Sequence, residues 1–368
     1  SDLVDSFCTF LGSMKTTVVV LVGGVHASQP SFEEWQGQYG INSADDEMRA
    51  AYQSNVNLVD MFNAEDSGAT FAVNQFSGMR FEEFQSKVLN YKPRNVSAFP
   101  TLEVSTELAS SVDWVQQGVV TPVKDQGQCG SCWTFGTNGA IESIFKQQTG
   151  RSVNLAEQQL VDCTYPNYDG CNGGNDEDAF DYLSRHSACT TSSYSYHARS
   201  GTCKTGSCTP AGVALSGYNY VSASESALTS ALQHSVVAVY VEATDRFSNY
   251  RSGVLNDSSD HRSTDHAVLA VGYASNYFKI KNSWSTSWGE HGYIRISRNA
   301  GWSHGAFAVV ADKPMVPKVS SAGPSPSPSP SPSPDGRRRR RRRSGSMDEI
   351  EDEIEDENED ETDADVVV

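Results

Sequence analysis

The sequence predicts an α+β fold with two lobes and a cleft between them. After Cys132, the apolar run Trp133–Phe145 indicates one long buried helix, and segments typical of strands follow only later in the chain. A helical half followed by a strand-rich half implies two separate lobes. The expected strands are Val236–Val241, Ala267–Tyr273, Tyr277–Lys281 and Tyr293–Ser297.

The predicted long helix contains two glycines, Gly136 and Gly139. Glycine weakens a helix interior, so two of them in one buried helix indicate that another part of the chain packs closely against it.

Residues 31–91 form a helical region ahead of this domain. Apolar and Asn side chains recur at helical spacing in Tyr52, Asn55, Val59 and Asn63. From Val112 onward the sequence is instead rich in Gly, Cys and Tyr. We therefore expect a helical N-terminal segment that is distinct from the two-lobed domain.

The charge of the chain is concentrated outside the predicted domain. The 368 residues carry a formal net charge of −18, yet Asp348–Val368 alone holds 13 acidic residues and no basic one, a composition typical of a disordered tail. Between Ser105 and Lys318 there are 19 acidic and 15 basic residues. This slight excess of acidic over basic residues does not predict a nucleic-acid-binding surface.

The first residues predict a secretory leader. Met14-Lys15, the apolar stretch Thr16–Val25 and then His26-Ala27 are typical of a signal peptide over residues 14–27. About ten apolar residues are too few to span a bilayer. We expect residues 1–13 to be translated upstream sequence and Cys8 to be absent from the mature protein. A longer, unusual leader is the alternative.

Low-complexity sequence follows Lys318. Pro-Ser repeats within residues 319–335 predict a stiff, extended linker. Residues 336–368 contain the arginine run Arg337–Arg343 and then the acidic tail. The two opposite runs either neutralise each other or form a membrane or polyanion anchor, and a tail without catalytic consequence is the third interpretation.

Seven of the eight cysteines lie between Cys129 and Cys208. In a chain with a secretory leader, this clustering predicts a disulfide framework with one odd thiol. A zinc site at Cys129-Gly-Ser-Cys132 is the competing interpretation, but no second CxxC or His pair follows at ligand spacing. We expect neither a metal nor another cofactor.

Four residues together indicate nucleophilic catalysis by a thiol. Cys132 begins the long helix, where the backbone amides and the helix dipole favour a thiolate. His266 is the expected base, and Asn282 is expected to accept a hydrogen bond that fixes its tautomer. Gln126 is expected to donate its amide to the developing oxyanion, beside the Cys132 backbone N–H. Each residue alone has an ordinary structural explanation, but their joint order and spacing do not.

Four motifs resemble those of papain-family cysteine peptidases. The nucleophile motif is the most specific of the four, and the resemblance covers residues 31–312. The motifs are Val123-Lys124-Asp125-Gln126-Gly127-Gln128-Cys129-Gly130-Ser131-Cys132-Trp133, Leu155–Cys163, Gly170–Gly174 and Lys281–Glu290.

The resemblance implies a papain-like α+β fold over residues 105–318, with a helical lobe and a β-barrel-like lobe. It implies an inhibitory propeptide at residues 28–104 and the disulfides Cys129–Cys171 and Cys163–Cys203. The family's usual third bridge is missing, because Phe307 occupies one of its positions. Cys189 and Cys208 remain, and we expect them to pair with each other.

The propeptide resembles that of the cathepsin L-like branch. An interrupted helix motif runs from Arg49 to Asn63, and Ala72–Gly78 follows a second motif. Gly78 stands where the family has an Asp, so the family's acid-sensed activation trigger does not carry over. The spacing implies a segment over the cleft that is cleaved between Asn95 and Leu108.

The resemblance also places a pocket for the second residue before the scissile bond, here the S2 pocket. Asp312 at its floor and Asp176 at its wall predict that it accepts Arg or Lys, alongside an apolar or aromatic residue stacked on Tyr240. The alternative is that Asp312 turns to solvent and Asp176 caps a helix beginning near Asp178. The expected substrate-binding residues are Gly173, Gly174, Asp176, Tyr240, Asp265, Ala267, Trp284 and Asp312.

We therefore predict a cysteine endopeptidase made as an inactive zymogen. No insertion blocks the cleft between Cys171 and His266, which favours cleavage within chains. A transpeptidase or ligase using the same site, a catalytically silent binding protein and a propeptide-type inhibitor are the rival hypotheses.

The same prediction extends to partners and location. Expected partners are protein or peptide substrates, the chain's own propeptide and cystatin-type inhibitors, with no nucleic acid and a monomeric enzyme. Sequons at Asn95 and Asn256 predict glycosylation, and the leader predicts the secretory pathway, ending in a lysosome- or vacuole-like acidic compartment or outside the cell.

Overall fold

The computed structural model describes residues 28–65, 67–94, 101–102, 108–164, 170–256 and 259–321. The predicted leader, the Asn95 sequon, most of the predicted cleavage region, the Arg run and the acidic tail lie outside these residues. Within the described ranges, no helix combines the length and the apolar character that crossing a bilayer requires.

The N-terminal segment folds as helices and a short strand. Ser31 and Glu34 form a capping box at the start of the first helix, and the Asp45 side chain caps the second. The elements are α1 (Phe32–Tyr39), α2 (Asp46–Asn63), β1 (Ala69–Phe71) and α3 (Phe81–Val88).

Two Asn residues of α2 bind the chain that follows the helix. The Asn55 side-chain amide donates to the carbonyls of Ser77 and Met79, at 2.9 Å each. Asn63 exchanges two hydrogen bonds of 2.9 Å with the Phe71 backbone. These bonds satisfy buried backbone groups at the end of β1 and in the loop before α3, so the amides hold the segment in place.

The second region contains the remaining helices and strands. Its elements are β2 (Val112–Asp113), α4 (Cys132–Thr149), α5 (Glu157–Cys163), α6 (Asp176–Arg185), β3 (Val213–Tyr220), α7 (Glu225–Leu232), β4 (Val237–Val241), α8 (Asp245–Ser248), β5 (Tyr250–Leu255), β6 (His266–Tyr273), β7 (Tyr277–Lys281), β8 (Tyr293–Ser297) and β9 (Met315–Ser321). β9 ends at Ser321, so the first three residues of the predicted linker, 319–321, belong to a strand.

One sheet joins the strands of the described residues in the order β1-β5-β8-β7-β6-β4-β9-β3, and β2 pairs with β6. All eight residues of β6 are buried, because both faces of this strand are covered. Val268 and Ala270 face a core shared with the N-terminal segment, whereas Leu269 and Val271 face a core built on α4. β6 therefore separates the two hydrophobic cores.

The glycines of α4 lie where other elements approach the helix closely. A Cβ on Gly136 would lie 2.9 Å from the Asp176 carboxylate, and one on Gly139 would lie 3.4 Å from Leu269. The predicted helix and all four predicted strands are present, with bounds that differ by one residue or less at the strands. The sequence analysis missed β1, β2, β3, β5 and β9.

Three disulfides join the cysteines in the expected pairs, Cys129–Cys171, Cys163–Cys203 and Cys189–Cys208. Because Cys129 is bonded to Cys171, the CxxC sequence does not form a zinc site. Among the described residues, Cys132 is the free cysteine.

Candidate active site

Cys132 is the first residue of α4, and its side chain is completely buried. Its sulfur accepts hydrogen bonds from the backbone N–H groups of Trp133 and Ala267. Ala267 directly follows His266 at the start of β6. The structure thus brings the helix start and the strand start together, although 134 residues separate Cys132 from His266 in the sequence.

The His266 ring is oriented by Asn282. Nε2 lies 2.8 Å from the Asn282 side-chain oxygen, which also accepts from the Ser283 backbone N–H. That oxygen is an acceptor, so Nε2 carries the proton. Nδ1 is buried and has no hydrogen-bond partner among the described residues, which leaves it available as a base. Trp284 stacks on the ring, with centroids 4.7 Å apart.

Gln126 is buried with its amide group held at both ends. Its side-chain oxygen accepts from the Ser283 hydroxyl at 2.7 Å and from the Trp284 indole N–H at 3.2 Å. Its side-chain nitrogen therefore points the other way and donates to the carbonyl of Val88 at 2.7 Å. Val88 is the last residue of α3, so a carbonyl of the N-terminal segment accepts from this amide.

Burial keeps both reactive groups uncharged in this state of the protein. It raises the pKa of the Cys132 thiol to about 12, and hydrogen bonds from the Ala267 and Trp133 amides offset only part of that rise. Burial also lowers the pKa of His266 to about 4, against the smaller opposing effect of its bond to Asn282. A neutral thiol beside a neutral imidazole is the result.

The N-terminal segment continues through the cleft after α3. The Tyr91 backbone N–H donates to the carbonyl of Asp265 at 2.9 Å, and the Lys92 N–H donates to the carbonyl of Gly174 at 3.0 Å. The Tyr91 ring stacks on Tyr240, with centroids 4.1 Å apart. The segment is therefore bound to both sides of the cleft.

The glycines predicted to bind substrate lie against this segment. A Cβ on Gly173 would lie 2.2 Å from a backbone oxygen of Asn90, and one on Gly174 would lie 2.6 Å from the Trp133 ring. Because neither residue has a side chain, Gly173 can approach the Asn90 backbone and Gly174 the Trp133 ring this closely. Trp284, also predicted to bind substrate, covers His266. Its ring contacts the ring of Phe76 in the N-terminal segment edge-on, with the centroids 5.6 Å apart.

The acidic groups near Tyr240 differ from the sequence prediction in one respect. Asp176 is fully buried and accepts from Thr137 at 3.0 Å, so it lies behind the pocket wall. Its neighbour Glu177 lines the open pocket together with Asp312, and the sequence analysis missed this residue. The sequence feature that could have indicated Glu177 is the run of acidic residues in the first turn of α6. Successive side chains of a helix point in different directions, so not all of these residues can face the cleft.

The alternative interpretation was that Asp312 turns to solvent and that Asp176 caps a helix beginning near Asp178. Neither part agrees with the structure. α6 begins at Asp176, and its cap is Asn175, whose side chain accepts from the Asp178 backbone N–H at 2.9 Å. Asp312 is half-buried, accepts from the Thr264 hydroxyl and lines the pocket.

Two family models match the chain. The model described as papain family cysteine protease matches residues 108–313, and the model described as cathepsin propeptide inhibitor domain matches residues 32–84. The first range contains the Cys132, His266, Asn282 and Gln126 cluster, and the second contains α1, α2 and the start of α3.

Curated relatives and solved structures give the same result. Digestive cysteine proteinase 2 of Homarus americanus is 41% identical over 82% of this chain and 100% of its own length. Cathepsin L-like proteinase of Fasciola hepatica is 38% identical over 81% and 97%. A recombinant stem bromelain precursor superposes with a TM-score of 0.71 at 32% identity, covering 78% of this chain and 97% of that one.

Proposed function

Because the chain belongs to the papain family of cysteine proteases and carries that family's propeptide inhibitor domain, we propose a specific role for each residue of its cleft. The protein is a cysteine endopeptidase synthesised as a proenzyme. Cys132 is the nucleophile, His266 is the base and acid, Asn282 orients the imidazole, and Gln126 stabilises the oxyanion. The contact between Gln126 and the Val88 carbonyl carries the proposal, since a substrate carbonyl needs such a donor.

The reaction proceeds through a thioester. The Cys132 sulfur attacks the peptide carbonyl carbon while His266 Nδ1 takes the thiol proton. The Gln126 amide and the Cys132 backbone N–H bind the oxyanion. His266 then returns the proton to the leaving amine as the C–N bond breaks. Water, deprotonated by His266, attacks the thioester, and the C–S bond breaks to give a carboxylic acid and the free thiol.

The propeptide inhibits because it occupies this cleft in the wrong direction. In a substrate, the residue in the S2 pocket precedes the residue whose carbonyl reaches Gln126. In the propeptide, the carbonyl of Val88 reaches Gln126, and Tyr91, three residues later in the chain, stacks on Tyr240. A reversed chain fills the oxyanion position without presenting its carbonyl and leaving amine in the order that the reaction needs.

The S2 pocket of the processed enzyme accepts a basic residue as well as an aromatic one. Tyr240 provides the face on which Tyr91 stacks in the proenzyme, which favours an aromatic occupant. Glu177 and Asp312 line the neighbouring opening, which favours Arg or Lys. Asp176 adds negative charge behind the wall only when ionised, and its burial raises its pKa well above the ordinary value.

Location, glycosylation and other partners follow from the same assignment. The digestive and cathepsin L-like relatives support a secreted or lysosomal protease. Asn256 is exposed and is one proposed glycosylation site, and the sequon at Asn95, outside the described residues, is the other. A mature monomer that cystatin-type inhibitors block by entering the cleft completes the proposal.

Hydrolysis of fluorogenic dipeptides tests the proposal. Processed enzyme at a pH of about 5 should cleave substrates ending in Phe-Arg and in Arg-Arg, and Cys132→Ala should abolish both activities. Asp312→Asn should lower kcat/KM for Arg-Arg by about tenfold and leave Phe-Arg less affected, because only the first substrate places a cation in the pocket.

The outcomes separate the two parts of the proposal. If Asp312→Asn lowers kcat/KM equally for both substrates, the acidic S2 pocket is contradicted, but the assignment as a peptidase stands. Absence of thiol-dependent cleavage by reduced, processed protein would contradict the catalytic assignment itself.

A further inference from the structure

An acidic surface extends from the S2 pocket along α6. The first turn of α6 has the three acidic residues Asp176, Glu177 and Asp178, and Asp181 follows one turn later. Asp312 lines the same opening as Glu177. Lys313 of the peptidase domain and Arg94 of the propeptide are the cations that line the same opening. Once the propeptide has left, carboxylates outnumber the basic groups at this end of the cleft.

Glu177 is a built part of this surface. Its side chain is only 3% exposed, and its Oε2 atom has no hydrogen-bond partner among the described residues. Burial is the largest cause that raises its pKa, to about 7, and the positive charge of Arg94 opposes the rise. Glu177 and Asp312 line the same opening, and a buried carboxylate oxygen without a partner on such a residue is suited to a cationic ligand.

The proenzyme already places a guanidinium on this surface. Arg94 of the propeptide lies 3.5 Å from the Asp178 carboxylate and 3.4 Å from that of Asp181, three residues after Tyr91. Arg94 leaves with the propeptide. The surface then loses the cation that balances it, and an arginine from another source can take its place.

The chain carries such a source in its own sequence. Arg337–Arg343 are seven consecutive arginines that separate the peptidase domain from the 13 acidic residues of the final segment. Residues 322–336 join the last strand to this run, and 15 residues can span at most about 50 Å. The extended linker is therefore longer than the radius of a domain of this size. Cleavage by a second copy of the enzyme does not depend on the length of the linker.

We propose that the processed enzyme cleaves its own arginine run, and so separates the acidic C-terminal segment from the peptidase domain. This inference rests on the acidic S2 pocket of the proposed function. An arginine of the run enters the pocket beside Glu177 and Asp312, and a neighbouring arginine lies on Asp178 and Asp181 in place of Arg94. Since every arginine from Arg337 to Arg343 is able to occupy the pocket, the enzyme cuts bonds between Arg338 and Gly345.

The chemistry is that of the established reaction. The Cys132 sulfur adds to the carbonyl carbon of the residue that follows the arginine in the pocket. The C–N bond of that peptide then breaks as His266 protonates the new amine. Water then cleaves the thioester, giving a new C-terminal carboxylate on the domain and the free thiol. One water is consumed for each bond, and no other reactant is needed.

The test uses the full chain as substrate. The Cys132→Ala proenzyme, which cannot cut itself, is incubated with a catalytic amount of processed wild-type enzyme, and intact mass spectrometry follows the products. The expected C-terminal fragments begin at a residue between Arg339 and Gly345. A matched substrate with all seven arginines replaced by Gln should be cut in this region at least about tenfold more slowly.

A second arm tests the pocket. Enzyme carrying Glu177→Gln together with Asp312→Asn is compared with wild type on a synthetic peptide of residues 333–348 and on the Phe-Arg dipeptide. The ratio of the two kcat/KM values, peptide over dipeptide, should fall by at least about tenfold, because loss of both carboxylates weakens only the arginine contact. The peptide arm also removes any dependence on the folding of Cys132→Ala.

Each outcome decides one question. An intact tail in the presence of enzyme that hydrolyses Phe-Arg would overturn self-processing and leave the peptidase assignment standing. Cutting only within the Pro-Ser or acidic segments would overturn it as well. An unchanged ratio in the double variant would show that the acidic surface does not select the arginines. Failure to hydrolyse Phe-Arg would instead refute the proposed function and this inference with it.

Discussion

At the scale of single residues, the cleft depends on hydrogen bonds that fix the direction of each polar group. Ser283 and Trp284 hold the Gln126 oxygen, so its nitrogen faces the cleft. Asn282 holds His266 Nε2, so Nδ1 is left for the thiol. None of these contacts changes the identity of a reactive group. They select one orientation from several, which is how a fold prepares a site before substrate arrives.

We expect Cys132 to react much more slowly with iodoacetamide in the proenzyme than in the processed enzyme. With a pKa of about 12, only about one thiol in 10⁵ is ionised at pH 7, and the propeptide also covers the sulfur. Processing returns water to the cleft, so the alkylation rate should rise at least about 100-fold. Cys132→Ser is the control for other thiols, and equal rates in both forms would contradict the shielding.

Asn282→Ala should lower kcat/KM by about 10- to 100-fold, because the imidazole loses the acceptor that fixes its tautomer. Asn282→Asp keeps an acceptor oxygen at the same place and should lose less activity. The measurement is dipeptide hydrolysis across pH 4–8 with both variants. Equal losses in Ala and Asp would indicate that the oxygen does not position His266.

At the scale of secondary-structure elements, the propeptide packs closely around Gly78, where the family resemblance led us to expect an Asp. Gly78 lies between Ser77 and Met79, whose carbonyls α2 binds through Asn55. A Cβ at Gly78 would lie 2.5 Å from the Trp35 ring and 2.9 Å from Met48. The Asp that the family resemblance led us to expect at this position therefore does not fit between α1 and α2.

Gly78→Ala should therefore destabilise the proenzyme by about 1–3 kcal/mol, since the Trp35 ring has to move. Gly37→Ala is the matched control. Gly37 lies inside α1 with no atom within 4 Å of the added methyl, so this change should stabilise by about 0.5–1 kcal/mol. Urea denaturation of both variants measures the difference, and a neutral Gly78→Ala would show that α1 adapts at no cost.

At the scale of the whole molecule, the propeptide completes structure as well as blocking the cleft. β1 extends the sheet by pairing with β5, and the propeptide side chains share a core with β4, β6 and β8. Its passage over the acidic surface buries carboxyl groups that would otherwise be hydrated. The stability of the proenzyme therefore depends on the protonation of groups on both sides of the cleft.

Glu177 shows the direction of that dependence. Its pKa is raised from 4.5 to about 7 in the folded proenzyme, so folding favours the protonated carboxyl. The stabilisation is complete below pH 4.5 and is lost as the pH rises to about 7, a change of about 3 kcal/mol. Through this group, acid strengthens the proenzyme, which is opposite to an acid-triggered release.

We therefore expect Glu177→Gln to stabilise the proenzyme at pH 8 and to have little effect at pH 4.5. Urea denaturation in a Cys132→Ala background, which prevents self-cleavage, measures both values. Glu83→Gln, on an exposed pair with Lys87, should change the free energy of unfolding by less than about 0.5 kcal/mol at either pH. A larger effect of Glu177→Gln at pH 4.5 than at pH 8 would reverse the argument.

The sequence by itself determined the chemistry of this protein. The identities and order of Gln126, Cys132, His266 and Asn282 indicated nucleophilic catalysis by a thiol, and the family resemblance of the surrounding motifs implied a peptidase. The apolar run after Cys132 indicated the buried helix. The sequence pattern was sufficient to predict β4, β6, β7 and β8, because apolar residues form nearly continuous runs in these strands. Short or partly exposed strands such as β3 and β5 were missed, since their patterns are weak without their partners.

Only the tertiary structure decided which carboxylate lines the opening beside Asp312, where we propose the S2 pocket, and how the propeptide lies. Asp176 and Glu177 are neighbours in the sequence, and the rotation of α6 turns the first inward and the second toward Asp312. The direction of the propeptide depends on contacts of Val88 and Tyr91 with residues more than 30 positions away. Periodicity and motifs are local, whereas a cleft is formed by side chains that the fold brings together from distant parts of the chain.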